Sequence, residues 1–258
     1  MKKLFTTLLL QLLSTELLSA TELTTRTFDY GSVKKFEGYI AEPKNSRAPL
    51  PAILVIHNWK GITDETKKQV NRLAELGYLV MAADIYGKGQ RPKDVKEATQ
   101  YATKYKSDRK LYREHLNTAL TQLLAEKNVN RSKVAAVGYC FGGTGAIELA
   151  RSGAAILGAV SFHGGLDSPA PEDGRNIKGK ILALHGAVDP FVSEKDVAAF
   201  ETEMKTFKID YELVKYGNTV HSFTEVAAGD DMAKGAAYNE SSDRRSFKAA
   251  KDFFLEIF

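Results

Sequence analysis

Val134-Ala135-Ala136-Val137-Gly138-Tyr139-Cys140-Phe141-Gly142-Gly143 is the stretch on which the reading of this chain turns. Its first four residues are apolar and suit a buried strand, and a helical segment begins near Thr144. Between them a thiol stands at the tip of a strand-to-helix turn. Such a turn closes only if the positions two residues either side of the tip carry no Cβ, and Gly138 and Gly142 meet that need. The amides that open the helix face the tip, where they favour a thiolate and hold negative charge that develops on attack. Cys140 is therefore the candidate nucleophile. The alternative is a Gly-rich turn holding an inert, buried thiol.

Outward from this turn, strand and helix patterns alternate. Residues 52–56 form a continuous apolar run, and further strands are expected at 78–83, 157–162, 181–185 and 211–215. Helical periodicity covers 63–76, 94–105, 108–127, 194–207 and 243–258, the first with Thr63 or Asp64 as N-cap and Gly77 as its stop. An edge strand or hairpin at 36–41 leads in, and 227–239 reads as a surface loop with a short helix. This alternation predicts an α/β fold: one domain built on a mostly parallel central sheet with helices on both faces. In such a sheet, ligands bind at the carboxyl ends of the strands, so the loops that follow strands hold the chemistry.

Two of those loops supply partners for the thiol. Asp189, in His185-Gly186-Ala187-Val188-Asp189-Pro190, follows an apolar strand and is placed to accept a hydrogen bond from a histidine, although an Asp before Pro is commonly a turn residue. His221, in Val220-His221-Ser222-Phe223, follows the strand at 211–215. Nucleophile, acid, histidine is the chain order of the α/β-hydrolase triad, and each member here follows an expected strand. Of the other histidines, His57 and His185 end strands and are expected to pack or support loops. His115 falls in a helix and is expected at the surface, while His163, before Gly164-Gly165, is a candidate for the pocket floor.

With 258 residues and 43% apolar composition the chain can bury one sizeable core. A net charge of +4 argues against a nucleic-acid partner. Met1-Lys2-Lys3, the apolar run from Leu4 to Leu13 and the small pair Ser19-Ala20 have the order of a secretory signal peptide. Residues 1–20 are thus expected to be removed, leaving 21–258 as an exported periplasmic or secreted domain with no membrane span; a retained N-terminal anchor is the alternative. Cys140 is the single cysteine, so an exported chain forms no internal disulfide and its thiol is either inert or reactive by design.

The residues quoted above, together with Phe36-Glu37-Gly38-Tyr39, His57-Asn58-Trp59-Lys60-Gly61, Ala83-Asp84-Ile85-Tyr86-Gly87 and His221-Ser222-Phe223, resemble the dienelactone hydrolases, a branch of the α/β-hydrolases with a Cys nucleophile. The resemblance spans the whole expected mature chain. It implies an oxyanion hole formed by the backbone amides of Trp59 and Phe141. It also implies a substrate pocket in which Asn58 replaces a Glu that interacts with the resting thiol, and in which Lys88 and Glu225 stand where the family binds a substrate carboxylate with arginines. These departures argue against a strongly anionic substrate. Without that Glu, His221 and the helix N-terminus alone govern the thiol, so a standing thiolate–imidazolium pair is expected.

The expected function is therefore hydrolysis of a small ester or lactone through Cys140, His221 and Asp189 and a covalent thioester, with no metal or organic cofactor. Short acyl groups are expected over long lipid chains, since no extended apolar lid precedes Asp189. A general carboxylesterase or thioesterase is the rival among enzymes; a non-catalytic binding protein on a hydrolase scaffold is the rival of another class.

Overall fold

A computed structural model describes residues 21–47 and 49–258. The expected signal segment, 1–20, lies outside the described residues. Strand β1 (Leu23–Tyr30) pairs with β2 (Phe36–Pro43); β3 (Leu50–Ile56), α1 (Asp64–Ala74) and β4 (Leu79–Ala83) follow. Next come α2 (Val95–Ser107), α3 (Arg109–Ala125), β5 (Val129–Tyr139), α4 (Phe141–Arg151) and β6 (Gly158–Phe162). The chain continues through β7 (Lys180–Gly186), α5 (Glu194–Thr206), β8 (Tyr211–Tyr216) and α6 (Glu240–Ile257).

The strands form one sheet in the order β1-β2-β4-β3-β5-β6-β7-β8, in which β2 alone runs antiparallel to its neighbours. After β3 the chain steps outward to β4, then crosses back to the other side of β3 as β5. That reversal opens a crevice at the carboxyl ends of β3 and β5, the place where open parallel sheets bind ligands. The central strands are buried on both faces, which is why they read as unbroken apolar runs. Ala52, Leu54 and Ile56 of β3 join a core with side chains of α2 to α5, whereas Ile53 and Val55 join a second core with those of α1 and α6.

Several boundaries differ from the sequence reading. β1 carries Leu-Thr-Thr-Arg-Thr-Phe-Asp-Tyr and is exposed along most of its length, so neither an apolar run nor a clean alternation announces it. α4 begins at Phe141, immediately after the thiol, because Gly142 and Gly143 continue the helix rather than delay it. The segment expected as a surface loop with a short helix contains two single 3-10 turns, Val226–Ala228 and Met232–Lys234. It is also not merely superficial: the His221 amide donates to Gly235 O at 3.1 Å and the Ala237 amide donates to His221 O at 3.0 Å. His115, expected at the surface, is buried. Its Nδ1–H donates to Ile85 O at 2.7 Å and its ring packs edge-on against Phe36, so it ties α3 to the loop after β4.

Candidate active site

The Cys140 turn is strained as its sequence requires. Cys140 has φ +56° and ψ −118°, a backbone region that L residues rarely occupy. A Cβ on Gly138 would lie 1.8 Å from Gly142 O, and one on Gly142 would lie 2.1 Å from Ile56 O, so both positions exclude any other residue. The turn is held from both sides. The Cys140 amide donates to Phe162 O at 3.0 Å and to His163 Nδ1 at 3.1 Å. On the far side the Tyr112 hydroxyl donates to Phe141 O at 2.9 Å, and the Tyr112 and Phe141 rings stack at 4.6 Å.

The structure brings Cys140, His221 and Asp189 together from three loops. His221 Nε2 lies 3.1 Å from Cys140 Sγ, and His221 Nδ1 lies 2.7 Å from Asp189 Oδ2. The other Asp189 oxygen accepts the Phe191 amide at 2.8 Å, so this carboxylate serves the Asp-Pro turn and the histidine at once. Since Asp189 only accepts, Nδ1 carries a proton. Burial disfavours the charge on His221, but Cys140 and Asp189 outweigh it and push the imidazolium up to about 10. His221 thus holds its proton at neutral pH, with Cys140 Sγ 3.1 Å from its Nε2.

Trp59 and Phe141 lie on the two sides of the crevice, in the loop after β3 and at the first position of α4. Neither backbone N–H donates to an acceptor among the described residues, so both remain available to an incoming oxygen. The Trp59 turn is rigid. Asn58 O accepts the Gly61 amide at 3.2 Å and His57 Nδ1–H at 2.6 Å, Asn58 Oδ1 accepts the Lys60 amide at 2.9 Å, and the Tyr86 hydroxyl donates to Trp59 O at 2.9 Å. His57 also accepts the Ile85 amide on Nε2, and desolvation lowers it to about 4, so it is a neutral brace for two loops.

The remaining candidates fall in different places. His163 is buried; it accepts the Cys140 amide on Nδ1 and therefore donates from Nε2 to Thr224 Oγ1 at 2.8 Å. Burial and neighbouring His221 hold it neutral, so it braces the thiol's backbone from beneath. Asn58 donates from Nδ2 to Glu225 Oε1 at 3.0 Å, which joins the two departures from the family pattern in one buried pair. Lys88 is not drawn to the thiol. Its ammonium is exposed and paired with Asp29 of β1. His185 is buried without a partner for Nδ1 among the described residues. Sequence reasoning missed Thr224, Tyr112 and the clamp from 235–237, all of which act through contacts that no local pattern encodes.

A sheet whose strand order reverses between β3 and β5, with a strained thiol turn set at that reversal, has the architecture of the α/β-hydrolases. Among solved structures, the chain is similar to m3DLH at 34% identity, covering 92% of this chain and 99% of that one with a TM-score of 0.88. It is similarly close to a dienelactone hydrolase-like promiscuous phosphotriesterase from metagenomic libraries, at 35% identity, the same coverage and a TM-score of 0.86. A probable 2-oxo-3-(5-oxofuran-2-ylidene)propanoate lactonase of Bradyrhizobium sp is 29% identical over 72% of this chain and 78% of its own length. Residues 36–258 match the dienelactone hydrolase family, and the chain belongs to it. It is a hydrolase acting on ester or lactone bonds.

Proposed function

We propose that the protein cleaves a small ester or lactone by covalent catalysis, with Cys140 as nucleophile, His221 as acid and base and Asp189 as the residue that orients His221. The observation that carries this reading is the unbroken chain Asp189 Oδ2, His221 Nδ1 and Nε2, Cys140 Sγ, with separations of 2.7 and 3.1 Å. The thiolate attacks the carbonyl carbon, and the resulting oxyanion is received by the amides of Trp59 and Phe141. His221 gives its proton to the departing alkoxide, leaving a thioester on Cys140. A water then loses its proton to His221 and attacks the thioester; collapse releases the acid and restores the thiolate–imidazolium pair.

Short acyl groups and lactones suit the site, because the link from β6 to β7 contains only the 3-10 turn Pro171–Asn176 and no long helical cap. The test is hydrolysis of a panel of aryl esters of increasing acyl length, lactones and thioesters by residues 21–258, with Cys140→Ala as control. Turnover that falls with chain length and vanishes in the variant supports the reading; turnover retained by Cys140→Ala overturns it. A panel with no turnover, together with no labelling of Cys140 by an activated ester, favours the binding-protein rival. The kinship to a promiscuous phosphotriesterase supports a second reading, in which the same thiolate attacks an uncharged phosphotriester, and adds one such compound to the panel.

We further propose that residues 1–20 act as a signal peptide cleaved after Ala20, which places the domain in the periplasm or outside the cell. N-terminal sequencing of the cellular protein is expected to begin at Thr21. An intact Met1 overturns it.

A further inference from the structure

On the face of the sheet covered by α1 and α6, a cleft of about 330 Å³ opens between those two helices and the loop that follows His221. None of Cys140, His221, Asp189, Trp59 or Phe141 lines it, so it is separate from the site described above. Its size falls within the roughly 300–1,000 Å³ of small-molecule pockets. Its floor is the stacked pair Tyr139 and Phe162, at the ends of β5 and β6, with ring centroids 4.7 Å apart. One wall is Phe247 of α6, braced by the Arg72 guanidinium of α1 at 3.6 Å from its ring centre.

Two buried polar side chains in this cleft have no partner. Tyr139 is 4% exposed and Gln69 8%, yet neither the phenol nor the side-chain amide makes a hydrogen bond among the described residues. The charges that act on the Tyr139 phenol are those of Arg72, Asp243 and Glu65, and all three residues line the cleft, so the hydroxyl points into it. Thr224, also in the wall, accepts His163 Nε2–H at 2.8 Å and keeps its own hydroxyl proton free to donate. Leaving such groups unpaired is costly, so a guest that pairs them gains affinity. The charges at the rim, in contrast, cancel: Arg72 pairs with Asp243 at 3.3 Å and Lys68 lies 4.0 Å from Glu65. A charged guest meets no net opposite charge to offset the loss of its hydration.

We propose that this cleft is a second binding site, distinct from the catalytic one, for a small uncharged molecule with an aromatic ring and a hydroxyl or carbonyl group. The ring packs among Tyr139, Phe247 and Val226 at the mouth, and the polar end exchanges hydrogen bonds with Tyr139, Gln69 and Thr224. Such a guest touches the residue that precedes the nucleophile. At Thr224 it stands two hydrogen bonds from the Cys140 amide, with His163 between them. The site does not depend on the hydrolytic reading above.

The test is binding of 2-phenylethanol, followed by saturation-transfer NMR, to protein whose only thiol has been carbamidomethylated so that the catalytic site is blocked. Phenylacetate and 2-phenylethylammonium are the charged comparisons. The wild type is expected to bind the alcohol saturably and at least about fivefold more tightly than either ion. Tyr139→Phe and Gln69→Leu are each expected to weaken the alcohol by about threefold or more. Tyr139→Phe keeps the ring and its stack on Phe162, and it decides alone if thermal unfolding shows that Gln69→Leu does not fold. No saturable binding of the alcohol, binding that a folded variant leaves unchanged, or an ion bound as tightly as the alcohol overturns the proposal.

Discussion

The Nδ1 atom of His163 accepts the backbone N–H of Cys140 at 3.1 Å. A neutral imidazole thus stands directly beneath the strained nucleophile, with its other nitrogen donating to Thr224 Oγ1 in the His221–Glu225 loop. The histidine couples the backbone of the thiol to the loop that carries its base. It is a positioning residue: it holds the Cys140 backbone amide, and its ring packs edge-on against His221 at 5.2 Å.

Replacing His163 by Ala leaves the Cys140 amide with Phe162 O as its one acceptor and the Thr224 hydroxyl without its partner, at a cost of about 1 kcal/mol in stability. The expected kinetic effect is a fall in kcat of about tenfold with KM changed much less, and His163→Gln, which keeps an acceptor, should recover part of it. Urea denaturation together with steady-state kinetics separates the two effects. A fall in KM-dependent binding alone would argue against positioning.

At Gly142 the added Cβ of an alanine would meet Ile56 O at 2.1 Å, a backbone atom of the central strand that has no room to retreat. Gly142→Ala is therefore expected to cost about 3 kcal/mol or more, or to prevent folding, although Ala is ordinarily the better helix former. Thermal unfolding checks this. A variant as stable as the wild type would mean that the turn relaxes.

His221 titrates from an ordinary value of 6.5 up to about 10 in the folded protein. A raised value means that the ring is charged at neutral pH and loses its proton only as the pH rises through about 10. The alkaline limb of kcat/KM should accordingly lie near 10 rather than near 6.5, because the leaving alkoxide needs the proton that His221 carries. Iodoacetamide should label the single thiol readily at pH 7, and His221→Ala should restore the steep rise with pH of an ordinary thiol. A labelling profile that this substitution leaves unmoved would mean that no resting ion pair exists.

Much of this architecture was legible because burial on both sheet faces leaves continuous apolar runs, as at Ile53-Leu54-Val55-Ile56 and Leu79-Val80-Met81. Cys140 was legible for a different reason: the glycines at 138 and 142 record a backbone crowding that no other residue survives. Asp189 and His221 were identified by their order after strands, a consequence of chemistry collecting at one end of a parallel sheet. What stayed hidden depends on tertiary neighbours. β1 is an exposed edge strand whose threonines and charges face solvent, so its pairing with β2 leaves no apolar signature. His115 lies on a helix rich in polar residues, and only the fold reveals that its face meets Ile85 and Phe36. The Asn58–Glu225 pair joins residues 167 positions apart, and neither residue alone announces the other.

The central claim is that Cys140 forms a covalent bond to the acyl group. The most direct measurement is intact-protein mass spectrometry of residues 21–258, quenched in acid within seconds of mixing with excess of a slowly deacylating aryl ester, followed by peptide mapping. The account predicts one added acyl mass located on Cys140, absent from Cys140→Ala and cleared when the substrate is exhausted. Turnover of the ester with no acyl mass at Cys140, or with full activity in a protein whose only thiol is already carbamidomethylated, would contradict it.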